Sequence, residues 1–281
     1  MTTRLLTLTT LAAALTLTAC GNKDDSGSTD GTDGADGTAD GADGTADGAD
    51  GTADGADGTA DGADGTDGTE VENAAIRVIH LGPDVPAVDV HVNGGADPVV
   101  PGLEFLGGTA YLDVPEGTYD FQVSLEGDGP ENAALVVEGL PLEGKTSYTA
   151  AAIGSLADGN LQVKALVDAE DDIADGNFRV QVVHGAAAVG EVDIWNITDP
   201  SNPSPLVPDF PFAGAVTADL PAGAYNVGID VDNDSNPDVT FNLPELPAGL
   251  FVNLFAVNDA LGAVWLVAQL PDGTVVPIPS N

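Results

Sequence analysis

Three groups of side chains in this 281-residue sequence have the types and spacing to do chemistry. His80 precedes Asp89 by nine residues, and His184 precedes Asp193 by the same nine. An imidazole near a carboxylate can begin an acid–base pair, which would suit a hydrolase or a carbohydrate-active enzyme. Such a site also needs a nucleophile or a metal. No serine lies in a Gly-x-Ser-x-Gly elbow, and the three histidines show no zinc spacing. The competing reading is structural: each His ends a strand and bonds a nearby loop or carboxylate, fixing the first hairpin of its unit. The second group is Asp230-Val231-Asp232-Asn233-Asp234-Ser235-Asn236-Pro237-Asp238. Calcium takes six to eight oxygens, and alternate side chains of a curving loop can converge on one ion. Asp230, Asp232, Asp234, Asn236 and Asp238 are therefore candidate ligands for a stabilising calcium ion, the only cofactor the sequence suggests. The loop lacks a glycine after its third Asp and a Glu at its twelfth position, near Asn242. An acidic β-turn explains it equally, since Glu126-Gly127-Asp128-Gly129-Pro130-Glu131 occupies the matching place earlier in the chain. The third group is a single residue, Cys20, the only cysteine, so no internal disulfide or thiolate metal cluster can form.

What precedes Cys20 suggests its role. Arg4 gives a positive start, and Leu5 to Leu17 is an apolar run broken only by threonines. That run is the length of a signal-peptide core and short of the ~20 residues that span a bilayer. Leu17-Thr18-Ala19-Cys20 resembles the bacterial lipoprotein signal, with Thr18 a tolerated residue at its position. The resemblance implies that residues 1–19 are removed and that Cys20 is acylated on sulfur and amine, palmitate included. Several acyl chains, at ~0.8 kcal/mol per buried methylene, anchor a protein to a membrane almost permanently. Gly21 stands where an Asp would imply inner-membrane retention, so the resemblance places the protein in the cell envelope, at the outer membrane.

From Asp30 the chain cycles through Gly-Ala-Asp-Gly-Thr-Ala-Asp, and residues 24–70 hold fifteen acids and no base. With no Leu, Ile, Val or aromatic between Cys20 and Val71, neither a coiled-coil seam nor a calcium β-roll can be filled. Low hydrophobicity and like charge predict a disordered acidic linker over 20–70. Its reach exceeds the ~40 Å of a neutral flexible linker of about fifty residues.

The remainder is a tandem repeat. Ile76-Arg77-Val78-Ile79-His80 recurs as Arg179-Val180-Gln181-Val182-Val183-His184, and Val88-Asp89-Val90 as Val192-Asp193-Ile194, with His184 and Asp193 both 104 residues on from His80 and Asp89. Val114-Pro115-Glu116-Gly117-Thr118-Tyr119 recurs as Leu220-Pro221-Ala222-Gly223-Ala224-Tyr225, 106 residues on. Matches in one order at nearly one offset mean a duplicated unit. Tyr119, Phe121, Val123 and Leu125 alternate with polar residues, as do Tyr225, Val227, Ile229 and Val231. That is a strand period with one buried face. Pro115/Gly117 and Pro221/Gly223 suit a type I turn leading into those strands. About seven strands per copy and no helical period predict an all-β protein of two independent immunoglobulin-like or transthyretin-like β-sandwiches, at 71–170 and 177–281. An acidic joint over 169–176 separates them.

His80-Leu81-Gly82-Pro83-Asp84-Val85-Pro86-Ala87-Val88-Asp89-Val90, with the later Pro-x-Gly-x-Tyr, resembles the bacterial domain-of-unknown-function 4397 family. The likeness covers roughly 75–170 well and 177–270 less well, because Gly185 to Gly190 lacks the Pro-Asp-x-Pro segment. It implies an exported, often tandem β-sandwich without an assigned activity. A net charge of −40 repels phosphate backbones and anionic headgroups, which excludes nucleic acid as a partner. No Gly-rich loop precedes a helix, so nucleotide cradles are absent. Trp195 has the outward parity of its strand, facing a partner or the Pro-rich segment 198–211; Trp265 reads as core. The sequence therefore leads to a monomeric, non-enzymatic envelope lipoprotein whose modules bind an envelope protein or glycan or serve structurally. A hydrolase using His80 and Asp89 and a calcium-dependent adhesin are the alternatives.

Overall fold

The computed structural model describes residues 71–259 and 261–281. The expected signal, Cys20 and the acidic linker lie outside the described residues. Among the described residues every regular element is a strand apart from one short 3-10 turn, and four sheets form two β-sandwiches. The first contains β1 (Asn73–His80), β2 (Val88–Val92), β3 (Val100–Leu103), β4 (Leu112–Pro115), β5 (Gly117–Leu125), β6 (Leu135–Leu142), β7 (Ser147–Ile153) and β8 (Gln162–Asp168). The second contains β9 (Asn177–His184), β10 (Val192–Asn196), β11 (Ser204–Phe210), β12 (Ala215–Pro221), β13 (Gly223–Asp230), β14 (Val239–Leu246), β15 (Phe251–Asn258), β16 (Val264–Gln269) and β17 (Val275–Ile278). Eight and nine strands thus stand where about seven were expected in each.

Strand order repeats with the sequence. Sheet β4-β1-β7-β8 faces β3-β2-β5-β6, and β12-β9-β15-β16-β17 faces β11-β10-β13-β14. In both, the first strand runs parallel to the seventh, β1 to β7 and β9 to β15. Because β1 and β2 lie in different sheets, the segment between them is an arch across the sandwich and not the expected hairpin.

The Pro-x-Gly-x-Tyr motif marks the other crossing. Only Glu116 separates β4 in one sheet from β5 in the other, and only Ala222 separates β12 from β13. Tyr119 Oη donates to the Pro115 carbonyl at 2.7 Å, and Tyr225 Oη to the Pro221 carbonyl at 2.8 Å. Each ring pins a single-residue bend in the manner of a tyrosine corner, which replaces the expected type I turn.

The two sandwiches are not independent. Ile79, Ala151 and Ile153 of the first share one buried cluster with Val183, Phe255 and Val257 of the second. These are the same positions in the two copies, 104 residues apart. Period two explains how: on β15, Val252, Leu254 and Ala256 enter the second sandwich's core, while Phe255 and Val257 enter the shared one. Every residue of β15 is buried as a result. Gly273, at φ +86°, docks against the first sandwich so closely that an added Cβ would sit 2.4 Å from the Thr109 carbonyl oxygen.

Candidate functional site

The proposed acid–base pair is not assembled. His80 ends β1 and faces the interior between the sheets, whereas Asp89 alternates with core-facing Val88 and Val90 and so lies on the opposite face of β2. His80 Nδ1 accepts from the Gly82 N–H at 3.2 Å, and its Nε2 meets the Pro86 carbonyl at 3.3 Å, which places the ring proton on Nε2. His184 repeats the arrangement with the Ala186 N–H at 3.3 Å and the Gly190 carbonyl at 2.8 Å. Each imidazole closes the arch after its strand, and burial lowers both pKa values below the ordinary histidine value.

The aspartates hold the neighbouring edge strands where their register slips. Asp89 accepts from the amides of Gly102 in β3 and Gly127 after β5 at 2.7 and 2.9 Å, joining a strand to a loop, and these amides, Gly127 foremost, draw its pKa down. Asp193 accepts one amide, that of Asp209, at 2.7 Å. One contact escaped sequence reasoning: His91 Nε2 lies 3.2 Å from Ser124 Oγ, with His91 Nδ1 2.9 Å from the Gly95 carbonyl. Register had carried no signal for it, since Trp195 and Asp230 replace the two residues in the second copy. Both side chains are buried, so no substrate reaches the hydroxyl.

In the acidic loop, Asp230, Asp232 and Asp238 each bring a carboxylate oxygen within 4.8 Å of the others. Asp234 is not among them. Its Oδ1 accepts the Asn236 N–H at 2.9 Å, while its own N–H donates to Asp230 Oδ1 at 3.3 Å. The expected alternation fails because Asn233 (φ 58°) and Ser235 (φ 69°) are left-handed and turn the chain. Asp230 Oδ2 also accepts from Ser235 N–H at 2.8 Å, and Asp238 Oδ2 from Val231 N–H at 2.9 Å. Repulsion, chiefly from Asp234, raises the Asp232 pKa. Three of the four aspartate candidates therefore converge, and one oxygen from each is short of the six to eight that calcium takes.

The densest polar cluster lies between the sandwiches. Arg77, fully buried, donates Nε to Thr149 Oγ1 at 2.8 Å and Nη1 across to the Leu270 carbonyl at 2.6 Å, and its Nη2 is 3.4 Å from Asp168 Oδ2. Tyr111 lies beneath the guanidinium, 4.6 Å from ring centre to Cζ, and its Oη is 2.6 Å from a carboxylate oxygen of Asp168 and 2.6 Å from one of Glu170, with one proton to share between them. Burial, then the Asp168 charge, pushes the Tyr111 pKa far up. From the second sandwich, Asn253 Nδ2 donates to Thr149 Oγ1 at 3.0 Å and Asp168 Oδ1 at 3.1 Å. Trp195 is half-buried and pairs with Pro205 of β11, which lies within the Pro-rich segment. Trp265 packs, half-buried, against the shared core.

Residues 74–195 match a family described as Domain of unknown function (DUF4397). The DUF4397 span takes in the first sandwich from the second residue of β1, with the His80 arch and the Asp89 clamp, and runs through Trp195 of β10. Among solved structures, the Bacillus anthracis TIE protein aligns over 74% of this chain and 44% of its own, at 10% identity and a TM-score of 0.22. This chain thus spans less than half of that protein's length. No curated protein matches it.

Proposed function

We propose that the protein is a non-enzymatic, lipid-anchored component of the bacterial cell envelope. Acylated Cys20 holds it at the outer membrane, the acidic stretch to residue 70 spaces it from the surface, and the sandwich pair is the presented module. The anchor rests on the Leu17-Thr18-Ala19-Cys20 motif, and the observation that carries the reading of the sandwich pair as one presented module is their joining through one buried face. Engagement of both nitrogens of His80 and of His184 by their own arches supports a structural task for these residues over a hydrolase's. Strand order supports the transthyretin-like over the immunoglobulin-like arrangement, because the immunoglobulin sandwich keeps its first two strands in one sheet. Envelope proteins and glycans are the partners in view, engaged by a monomer.

The test is Cys20→Ala together with globomycin treatment of the producing cell. Release of the mutant from the membrane fraction and accumulation of uncleaved precursor support the anchor; a mutant that stays membrane-bound refutes it. A second reading, a calcium-stabilised adhesin, is favoured by the convergence of Asp230, Asp232 and Asp238.

A further inference from the structure

The two sandwiches differ in how continuously their interiors pack. The second has one continuous buried cluster from Phe178 to Ala268. In the first, the core is divided: Val88, Val90 and Leu103 form one cluster, Ile76, Leu142 and Tyr148 another, and Phe121 touches both. A well-packed domain has one contiguous core. Between the two clusters lies a cavity of about 330 Å³, bordered by Ile76, Val78, Val90, Phe121, Ala150 and Ala152. The corresponding space in the second sandwich is about 240 Å³.

Position 150 contributes to the difference. Ala150 on β7 and Leu254 on β15 occupy the same place, 104 residues apart, and each lines its own sandwich's cavity. Native cores seldom leave voids larger than a water molecule. A dry apolar cavity of ~150 Å³ already takes benzene, so the first sandwich has room for an aliphatic molecule of roughly ten to twelve carbons.

We propose that the first sandwich binds one uncharged aliphatic molecule, of the medium-chain alcohol class, between its two sheets. The entrance lies between β3 and β4, which are edge strands of the facing sheets. Val99 and Leu112 line the cavity there and are 52% and 38% exposed, although large apolar side chains. The only polar side chains on the lining are His80, with both nitrogens already bonded, and exposed Asp113. Neither offers a fatty carboxylate a donor, and Asp113 together with the net charge of −40 repels one. The site concerns residues 76–163 and does not depend on the lipid anchor.

The test uses the full-length chain carrying Cys20→Ser, without detergent. N-phenyl-1-naphthylamine fluorescence reads occupancy, and 1-dodecanol or laurate is the competitor. Saturable displacement by dodecanol, weaker displacement by laurate and at least tenfold weaker dodecanol binding in Ala150→Leu support the proposal. Absence of saturable displacement overturns it, as does unchanged binding in a folded Ala150→Leu, which would assign the probe to the second sandwich. If Ala150→Leu loses its β-sheet circular dichroism, melting of the parent decides: a higher Tm with dodecanol supports the site, and an unchanged Tm overturns it.

Discussion

Replacing Arg77 by Met tests whether the sandwiches unfold as one. Arg77 and Asp168 are both buried in the first sandwich, yet the cluster they form reaches Leu270 and Asn253 of the second. Methionine keeps much of the volume and removes the charge, leaving Asp168 buried with hydrogen bonds and no counter-charge. Removing one partner of a buried pair costs about 3–5 kcal/mol. With a urea dependence of about 3 kcal/mol per molar, the unfolding midpoint falls by about 1–1.7 M. Both tryptophans, Trp195 and Trp265, belong to the second sandwich. Tryptophan fluorescence therefore reports the second sandwich while the lesion lies in the first. The expected result is a single transition, displaced by that amount and coincident with the circular dichroism. Adding Asp168→Leu to Arg77→Met removes the stranded charge and recovers part of the loss. A tryptophan transition that stays in place while the dichroism splits into two steps would refute the shared core.

Three further outcomes follow from the clamps and the loop. His80 and His184 have pKa values lowered by burial, so below the unfolded value of ~6.5 the unfolded chain binds more protons and stability declines with falling pH. Thermal melting should show Tm flat above pH 7 and falling from about pH 6.5 downward, more shallowly in His80→Gln; a Tm that rises on this acidification contradicts the neutral clamps. Asp89→Ala strands two amide donors and Asp193→Ala one, so urea denaturation should give losses of about 3 and about 1 kcal/mol; equal losses would deny the difference in clamping. If the acidic loop holds calcium at a dissociation constant of ~1 mM, 10 mM calcium adds about 1.4 kcal/mol, and Asp232→Asn abolishes the gain; calorimetry without a calcium-dependent Tm shift removes the ion.

The strand character, the duplication and a turn at Pro-x-Gly-x-Tyr were readable from the chain alone, because they depend on period-two alternation and on residues that meet within four positions; that this turn crosses between sheets was not. Pairing of His80 with its own arch was within reach for the same reason, as both partners lie within six residues. The Asp loop was half legible. Its composition suggested five ligands, but two left-handed residues settled which carboxylates meet. What only the tertiary structure decided is the joint between the sandwiches. Arg77, Thr149, Asn253 and Gln269 share their strand faces with Ile79, Ala151, Phe255 and Val267, and in a single sandwich that face is turned to water. Here a second sheet covers that face, so the same residues become the buried polar centre of an interface. Alternation along one strand tells which side chains share a face; it holds no information on whether solvent or another sheet lies beyond it.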